Sequence, residues 1–304
     1  MKIAAVVVTY NRKVELVKNI RAIFSQTKLV DRYYIIDNHG NDGTEETLKK
    51  EGFLDNPLVE YIYLPENIGG AGGFYTGLKI AFEARYDLIC LMDDDGRPAD
   101  NYMMERLVTA AESFIVDNNR ILFNPLVLGP DGERLSFGLK GKIKTRTMAK
   151  QFVNERGIIV GTINPFNGTL VSRELIEGIG FPNKDFFIKG DEQDYYYRAL
   201  KSGAYVATVF GSNYYHPVLE KISGKFLGRN VISSTEAPWK EYYRARNFTY
   251  MFKRDGEPIK YVRQNIKQIV WALKYNPKKI KTIGMIIKGW NDGMKGNLGP
   301  TIRP

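Results

Sequence analysis

Short apolar runs alternate with stretches of helical periodicity through the first two hundred residues. Ile3 to Val8 is an unbroken apolar run, largely β-branched, as expected of a strand covered on both faces. Val14 to Phe24 then spaces its apolar residues as a helix does. Tyr33 to Ile36, Val59 to Leu64 and Leu88 to Met92 read as further strands, with helices predicted over Thr44 to Lys50 and Phe74 to Ala84 between them. Strands and helices of these lengths in alternation predict βαβ units, hence an α/β fold with a mostly parallel, Rossmann-like sheet. Ligands of such sheets bind beyond the carboxyl ends of the strands. All four strands end there in polar or glycine-rich loops: Thr9-Tyr10-Asn11-Arg12, Asp37-Asn38-His39-Gly40, Asn67-Ile68-Gly69-Gly70-Ala71-Gly72-Gly73, and Asp93-Asp94-Asp95-Gly96.

Further along, a helix is predicted over Asn101 to Val116 and a β-like segment over Ile121 to Leu128. Residues 138–157 are basic and weakly patterned, and read as a flexible loop. A short helix from Arg173, a helix over Asp191 to Ser202 and a strand over Tyr205 to Phe210 follow. From Pro238 the pattern is helical again. Ile259, Val262, Ile266, Ile269 and Leu273 fall at helical spacing, with Lys260, Arg263, Lys267 and Lys274 between them. Two readings are open for these basic amphipathic helices: association with a membrane surface, or packing on the protein with the lysines as a solvated face. Pairing of subunits through them would make an oligomer. The expected division is a catalytic domain over residues 1–218 and a basic helical region over 219–304.

Charge sharpens that division. The net charge is +10, yet residues 219–304 hold 18 Lys and Arg against 6 Asp and Glu, a net +12 that leaves −2 for the rest. A basic tail suits an anionic membrane surface or nucleic acid. Cys90 is the single cysteine, which rules out an internal disulfide and fits a reducing compartment. No stretch reaches the roughly 18 uncharged apolar residues of a membrane span, and the first ten residues are too short an apolar run for a signal peptide.

The Asp93-Asp94-Asp95 run carries the strongest chemical signal. Three adjacent carboxylates at a strand end repel one another unless a cation sits among them, and hard oxygen ligands suit Mg²⁺ or Mn²⁺. A solvated acidic turn is the plain alternative.

Taken together, Val7-Val8-Thr9-Tyr10-Asn11-Arg12, Asp37-Asn38, Asn67-Ile68-Gly69-Gly70, the Asp triplet, and Phe186-Phe187-Ile188-Lys189-Gly190-Asp191-Glu192-Gln193-Asp194-Tyr195 resemble the motifs of inverting family-2 glycosyltransferases. The resemblance covers about residues 1–218, with a weaker match in Tyr242-Tyr243-Arg244-Ala245-Arg246-Asn247, and is nearest to bacterial galactofuranosyltransferases. It implies a fold of the GT-A type and a nucleotide-sugar donor, a UDP-sugar. Thr9, Tyr10, Asn11, Arg12, Asp37, Gly69, Gly70, Asp93 and Asp94 would then bind the donor: Tyr10 its base, Arg12 a phosphate, Asp94 its sugar. Asp37 would accept from uracil or ribose, or else serve its own turn. Glycines at 69–73 would let backbone approach the ligand. Asp93, Asp95 and His216 would hold Mn²⁺ or Mg²⁺. Glu192 would be the general base, with Asp191 holding the acceptor sugar. Negative charge at a helix N-terminus explains the same acidic cluster without catalysis. Phe166 and Asn167 are expected near the acceptor, and Trp239 either stacks on sugar or packs in the core.

The resemblance further implies a glycan acceptor linked to a polyprenyl lipid, and an enzyme peripheral at the cytoplasmic face of the cell membrane. A rhamnosyltransferase using dTDP-rhamnose, or another UDP-hexose transferase, is the neighbouring alternative. A nucleotidyltransferase would need a glycine-rich, basic signature at the first strand, which Thr9 to Arg12 lacks. A nucleic-acid-binding protein would suit the tail but leave the Asp triplet unexplained, so no nucleic-acid partner is expected.

Overall fold

The structure, a computed structural model, describes residues 1–115, 118–140, 142–218, 222–226, 229–233 and 236–303. The chain divides into two compact units. One comprises Met1–Asn67, Gly73–Pro182 and Tyr195–Val218, the other Ile68–Gly72, Asn183–Asp194 and Leu219–Pro304.

In the first unit, β1 (Ile3–Thr9) leads to α1 (Lys13–Phe24), β2 (Arg32–Asp37), α2 (Thr44–Lys50), β3 (Val59–Tyr63), α3 (Gly69–Glu83) and β4 (Leu88–Asp93). Then come β5 (Arg97–Pro98), α4 (Met103–Ile115), β6 (Ile121–Leu128), β7 (Arg134–Leu139), β8 (Ile143–Thr145), α5 (Arg146–Lys150), β9 (Ile158–Val160), β10 (Asn167–Ser172), α6 (Arg173–Ile179), α7 (Asp191–Lys201) and β11 (Tyr205–Tyr215). The main sheet runs β3-β2-β1-β4-β10-β6-β11-β5. Parallel pairing joins β3, β2, β1 and β4, and also β6 and β11, while β10 runs antiparallel between β4 and β6.

The sheet is buried on both faces, which is why β1 needs no polar alternation. Ala5 and Val7 join the core with Leu16 and Ile20 of α1 and Met92 of β4. Val6 and Val8 point to α3, where a β-carbon added at Gly77 or Gly73 would lie 2.3 or 2.5 Å from their methyl groups. Those glycines thus let a helix pack tightly on the sheet. The expected start of this helix at Phe74 was too late, because its first turn consists of the glycines themselves. The 138–157 segment is not a bare loop: β7, β8 and α5 build a small annex whose Leu139, Ile143 and Ala149 pack with Leu126 and Leu128 of β6. Val116, expected to close α4, and Leu219, expected to open the basic region, lie outside the described residues.

The second unit holds the first turns of α3 and α7, a hairpin of β12 (Ile222–Phe226) and β13 (Arg229–Ser233), and three helices. These are α8 (Pro238–Arg254), α9 (Pro258–Tyr275) and α10 (Lys279–Lys295). α10 approaches α8 so closely that a β-carbon at Gly289 or Gly293 would lie 2.3 Å from the carbonyl oxygen of Tyr242 or Arg246. The stripe that α9 and α10 bury includes Asn265, Trp271, Ala272, Thr282 and Ile286. Ile259, Ile266, Val270, Leu273, Ile280 and Ile287 stay exposed, Ile280 at 90% and Ile259 at 81%. No helix among the described residues is long and apolar enough to cross a membrane.

Candidate active site

The carboxyl ends of β1 and β4 are adjacent by register, Val8 opposite Asp93. The acidic turn after β4 is held from three sides. Asn19, buried on the apolar face of α1, donates through Nδ2 to the carbonyl of Gly96 at 2.6 Å and accepts from the Tyr33 hydroxyl at 2.6 Å. The Asp93 amide donates to the carbonyl of Phe166 at 3.1 Å. β5 pairs Arg97 with Tyr215, the last residue of β11, which brings His216, just beyond that strand, back to the turn.

Within the turn the three carboxylates have different surroundings. Asp94 is turned back onto β1. It accepts from Thr9 Oγ1 at 2.9 Å and from the Tyr10 amide at 3.4 Å, and it pairs with Arg12 Nη1 at 3.1 Å. Burial pushes its pKa up to about 6; Asp95 adds to that and Arg12 opposes it. Asp94, expected to face the donor sugar, is 5% exposed and fastens the turn to the neighbouring strand. Thr9, 1% exposed, is its partner. Arg12 bridges Asp94 and Asp95, the latter at 2.6 Å, while half of its side chain stays open to solvent. Tyr10 is exposed. Asn11, at a φ of 54°, accepts from the Asn41 amide at 2.7 Å.

Asp95 Oδ1 lies 3.3 Å from His216 Nε2. The other ring nitrogen, Nδ1, is 2.7 Å from the carbonyl oxygen of Pro217, which can only accept, so Nδ1 carries the hydrogen. In neutral His216, Nε2 then directs a lone pair at a carboxylate oxygen. Two acceptors at this distance need a proton or a cation between them. Burial disfavours the charge on His216, but Asp95 raises its pKa; burial likewise works against ionised Asp95, yet His216 and Arg12 hold its pKa low. Asp93 adds to the pull on His216 and Arg12, so its charge acts on the same place.

This donor set suits a hard divalent cation. A metal-binding histidine ordinarily donates its other ring N–H to a carbonyl or carboxylate, as here to Pro217. Among the described residues no three His, Cys, Asp or Glu side chains already converge on one point.

Asp37 lies at the end of β2, in a cleft of about 360 Å³ lined also by Asn41, Thr44, Tyr61 and Tyr63. Its Oδ1 accepts from the Gly40 amide and its Oδ2 from the Tyr61 hydroxyl, both at 2.7 Å. The turn role left open by the sequence is thus filled, and Asp37 is 1% exposed. Phe166, at a φ of 65°, is buried against Phe74 with ring centroids 4.4 Å apart, so it meets the acidic turn through its backbone. Asn167 is buried beside it. Trp239 packs edge-on against Tyr243.

The other predicted residues belong to the second unit. Gly69 has a φ of 76°, and a β-carbon there would fall 2.1 Å from the carbonyl oxygen of Phe187. That contact requires glycine at 69; Gly70 has open space in the β-carbon direction. Asp191 and Glu192 begin α7. Asp191 is buried, whereas Glu192 is partly exposed and one of its oxygens accepts from the Gly190 amide at 3.0 Å. Asp194 is buried and paired with Arg254 at 2.7 Å, a structural contact.

The loop before α7 is strained and clamped. Phe187 (φ 64°, ψ −67°), Lys189 and Gly190 all have positive φ, and the Ile188 amide bonds back to the Phe186 carbonyl at 2.7 Å. This is the rarer, high-energy γ-turn. Residues in such conformations persist only where neighbours over-determine them. Asn247 Nδ2 lies within 2.9 Å of the carbonyls of Phe186, Ile188 and Lys189, and Arg246 Nη2 donates to those of Asp185 and Phe186 at 3.0 Å. Sequence reasoning found Arg246-Asn247 as a motif but gave it no role. It missed Asn19 altogether, although a polar residue amid Leu16, Ile20 and Ile23 was a readable signal.

The sequence model of "Glycosyl transferase family 2" matches residues 4–122. The galactofuranosyltransferase GlfT1 of Mycobacterium tuberculosis is 30% identical over 257 residues, which cover 83% of this chain and 82% of that one. The chain belongs to glycosyltransferase family 2. The glycosyltransferase is also similar to the dTDP-rhamnosyl transferase RfbF of Shigella flexneri, at 24% identity over 98% of this chain and 97% of that one. Its fold matches that of TarS from S. aureus, solved with UDP-GlcNAc, with a TM-score of 0.62 at 14% identity over 97% and 81% of the two chains. It also matches the mannosyltransferase PcManGT from Pyrobaculum calidifontis, solved with GDP-Man and Mn²⁺, with a TM-score of 0.57 at 13% identity over 96% and 87%. These neighbours share the GT-A fold expected from the sequence.

Proposed function

We propose that this glycosyltransferase moves galactofuranose from UDP-galactofuranose, with inversion, to a glycan carried on a polyprenyl lipid. The facing pair of Asp95 and His216, 3.3 Å apart, carries the metal-dependent part of the reading. Asp93, Asp95 and His216 would hold Mn²⁺ or Mg²⁺. A divalent cation there offsets charge developing on the departing diphosphate.

The rest is work for this chain's side chains. An acceptor hydroxyl oxygen attacks the anomeric carbon as the bond from that carbon to the β-phosphate oxygen breaks, and UDP leaves. Glu192 takes the hydroxyl proton, and Asp191 orients the acceptor. Thr9, Tyr10, Asn11, Arg12 and the Asp37 cleft bind the nucleoside diphosphate, with Asp94 bracing Arg12. The galactofuranosyl donor is favoured by the relative at 30% identity. A dTDP-rhamnose donor remains the second reading, favoured by a relative that matches 98% of the chain.

The exposed apolar residues of α9 and α10 alternate with exposed cations, among them Arg263, Lys274, Lys279 and Lys281. That combination supports attachment to an anionic membrane surface at its cytoplasmic face, where a lipid-linked acceptor would lie. The deciding assay offers the enzyme UDP-galactofuranose and dTDP-rhamnose in turn, with Mn²⁺ and a polyprenyl-diphosphate-linked glycan. Transfer from UDP-galactofuranose alone is expected; transfer from dTDP-rhamnose alone overturns the donor assignment.

A further inference from the structure

Strand β7 of the annex lies outside the residues given roles above, yet it runs against His216. Gly129-Pro130-Asp131-Gly132 turns the chain back at the end of β6, with residue types that suit a tight turn. Asp131 accepts from the amides of Glu133 and Arg134 at 3.0 and 2.8 Å, and the Gly129 amide donates to the Arg134 carbonyl at 2.7 Å. Leu128 of β6 then stands opposite Leu135 of β7. That register carries the next two residues, Ser136 and Phe137, to His216.

The backbone of His216 is held from both strands. Its amide donates to the Leu128 carbonyl at 3.0 Å, and its carbonyl accepts from Ser136 Oγ. Ser136 is 2% exposed. A buried hydroxyl is costly without a partner, and a strand that only covered a core would carry an apolar side chain here. The imidazole is held by its face. The Phe137 ring lies with its centroid 4.6 Å from that of His216, tilted by 53°. The χ2 preference of histidine is broad and roughly two-fold, so its own rotamer does not decide which ring atom faces where. Neighbours decide it. Nδ1 is committed to the Pro217 carbonyl at 2.7 Å, Phe137 limits the swing of the ring, and Nε2 is left facing Asp95. Phe137 packs in turn against the main core, which ties the ring to the sheet.

We propose that Ser136 and Phe137 are positioning residues, which together set His216 so that Nε2 faces Asp95. This positioning deepens the metal reading of the Asp95–His216 pair and rests on it for its bearing on catalysis. Groups that orient a metal-binding histidine ordinarily change metal affinity about 10–100-fold when replaced.

The test uses the full-length protein. UDP is titrated calorimetrically over a series of Mn²⁺ concentrations into the wild type, Phe137→Leu, Ser136→Ala, His216→Ala and the double variant Phe137→Leu/His216→Ala. Thermal melting checks that each is folded. Phe137→Leu should need about 10–100-fold more Mn²⁺ for half of its effect on UDP binding, and Ser136→Ala about tenfold more, with metal-free UDP affinity unchanged. Phe137→Leu should add nothing once His216 is gone, because residues that act through one another are not additive. A second readout needs no metal. The chain has two histidines, His39 and His216, so imidazole NMR separates them. In the metal-free wild type at alkaline pH, His216 should show one tautomer, with its hydrogen on Nδ1; in Phe137→Leu it should show a mixture.

Variants at 136 and 137 that keep the wild-type Mn²⁺ requirement, while His216→Ala loses the Mn²⁺ effect, would overturn the positioning and leave the metal reading standing. A His216 tautomer unchanged in both variants would overturn it as well. A wild type indifferent to Mn²⁺ whose His216 loses its single tautomer in Phe137→Leu would uphold the positioning and sink the metal reading instead.

Discussion

His216 Nε2 faces Asp95 Oδ1 across 3.3 Å, with the opposite ring nitrogen committed to the carbonyl of Pro217. With Nδ1 committed, the protonated ring would donate an N–H to the carboxylate, whereas the neutral ring would direct a lone pair there, as a metal ligand does. The arrangement is built by β11 and β5, whose pairing of Tyr215 with Arg97 returns the chain to the acidic turn.

Glu192 should separate binding from chemistry. Glu192→Gln keeps the shape and an oxygen for the Gly190 amide, but cannot take a proton. UDP affinity should match the wild type, and the turnover number should fall by about 10²–10⁴-fold, the usual worth of a general base. Steady-state transfer kinetics beside a UDP titration check this. Turnover near wild type would remove Glu192 from the role.

Asn247 should matter to catalysis through the loop it clamps. Asn247→Ala leaves three backbone carbonyls without this donor, at about 1 kcal/mol for each typical hydrogen bond. A loss of about 2–4 kcal/mol in urea unfolding is expected, with turnover reduced and UDP affinity kept. Asn247→Asp should be worse, since it sets a carboxylate oxygen against carbonyl oxygens. An Asp variant as active and stable as the wild type would show that the clamp does not set the loop.

Gly69 and Gly70 should behave oppositely despite adjacency. Gly69→Ala combines a positive φ with backbone overlap at Phe187, so a destabilisation of about 1–3 kcal/mol or more is expected. Gly70→Ala sits in helix with open space, and should be neutral or stabilising by up to about 1 kcal/mol. Denaturant midpoints of the two variants decide the matter.

The exposed face of α9 and α10 should respond to charge reversal. Lys274→Glu, Lys279→Glu and Lys281→Glu together should weaken binding to phosphatidylserine vesicles by roughly 1 kcal/mol per lysine removed, and more with the added negative charge. Sedimentation with vesicles at low and physiological salt measures it. Binding unaltered by the triple change would remove the membrane surface as the partner of this face.

Much of the first unit was legible because burial on both faces writes itself plainly into sequence: Ile3 to Val8 and Leu88 to Met92 admit few other readings. The Asp triplet and its strand-end position were equally plain. Long-range effects were not. Gly73 was read among glycines that approach the ligand, yet it answers to Val8, as Gly77 does to Val6, across a helix–sheet contact that no local pattern shows. Asp94 looked like its neighbours, and only the fold reveals that Thr9 and Arg12 turn it inward. The annex at 138–157 was read as loop because β7, β8 and α5 are too short to display a period. On α9 and α10 the periodicity was real, but which stripe would be buried depended on α8, and the one buried was the less apolar.

The most direct test of the account is calorimetric titration of UDP into the wild type, Asp95→Ala and His216→Ala, each with and without Mn²⁺. The account predicts UDP binding that strengthens with Mn²⁺ in the wild type and loses that Mn²⁺ dependence in both variants. Wild-type UDP affinity indifferent to Mn²⁺, or variants that retain the full Mn²⁺ effect, would contradict it.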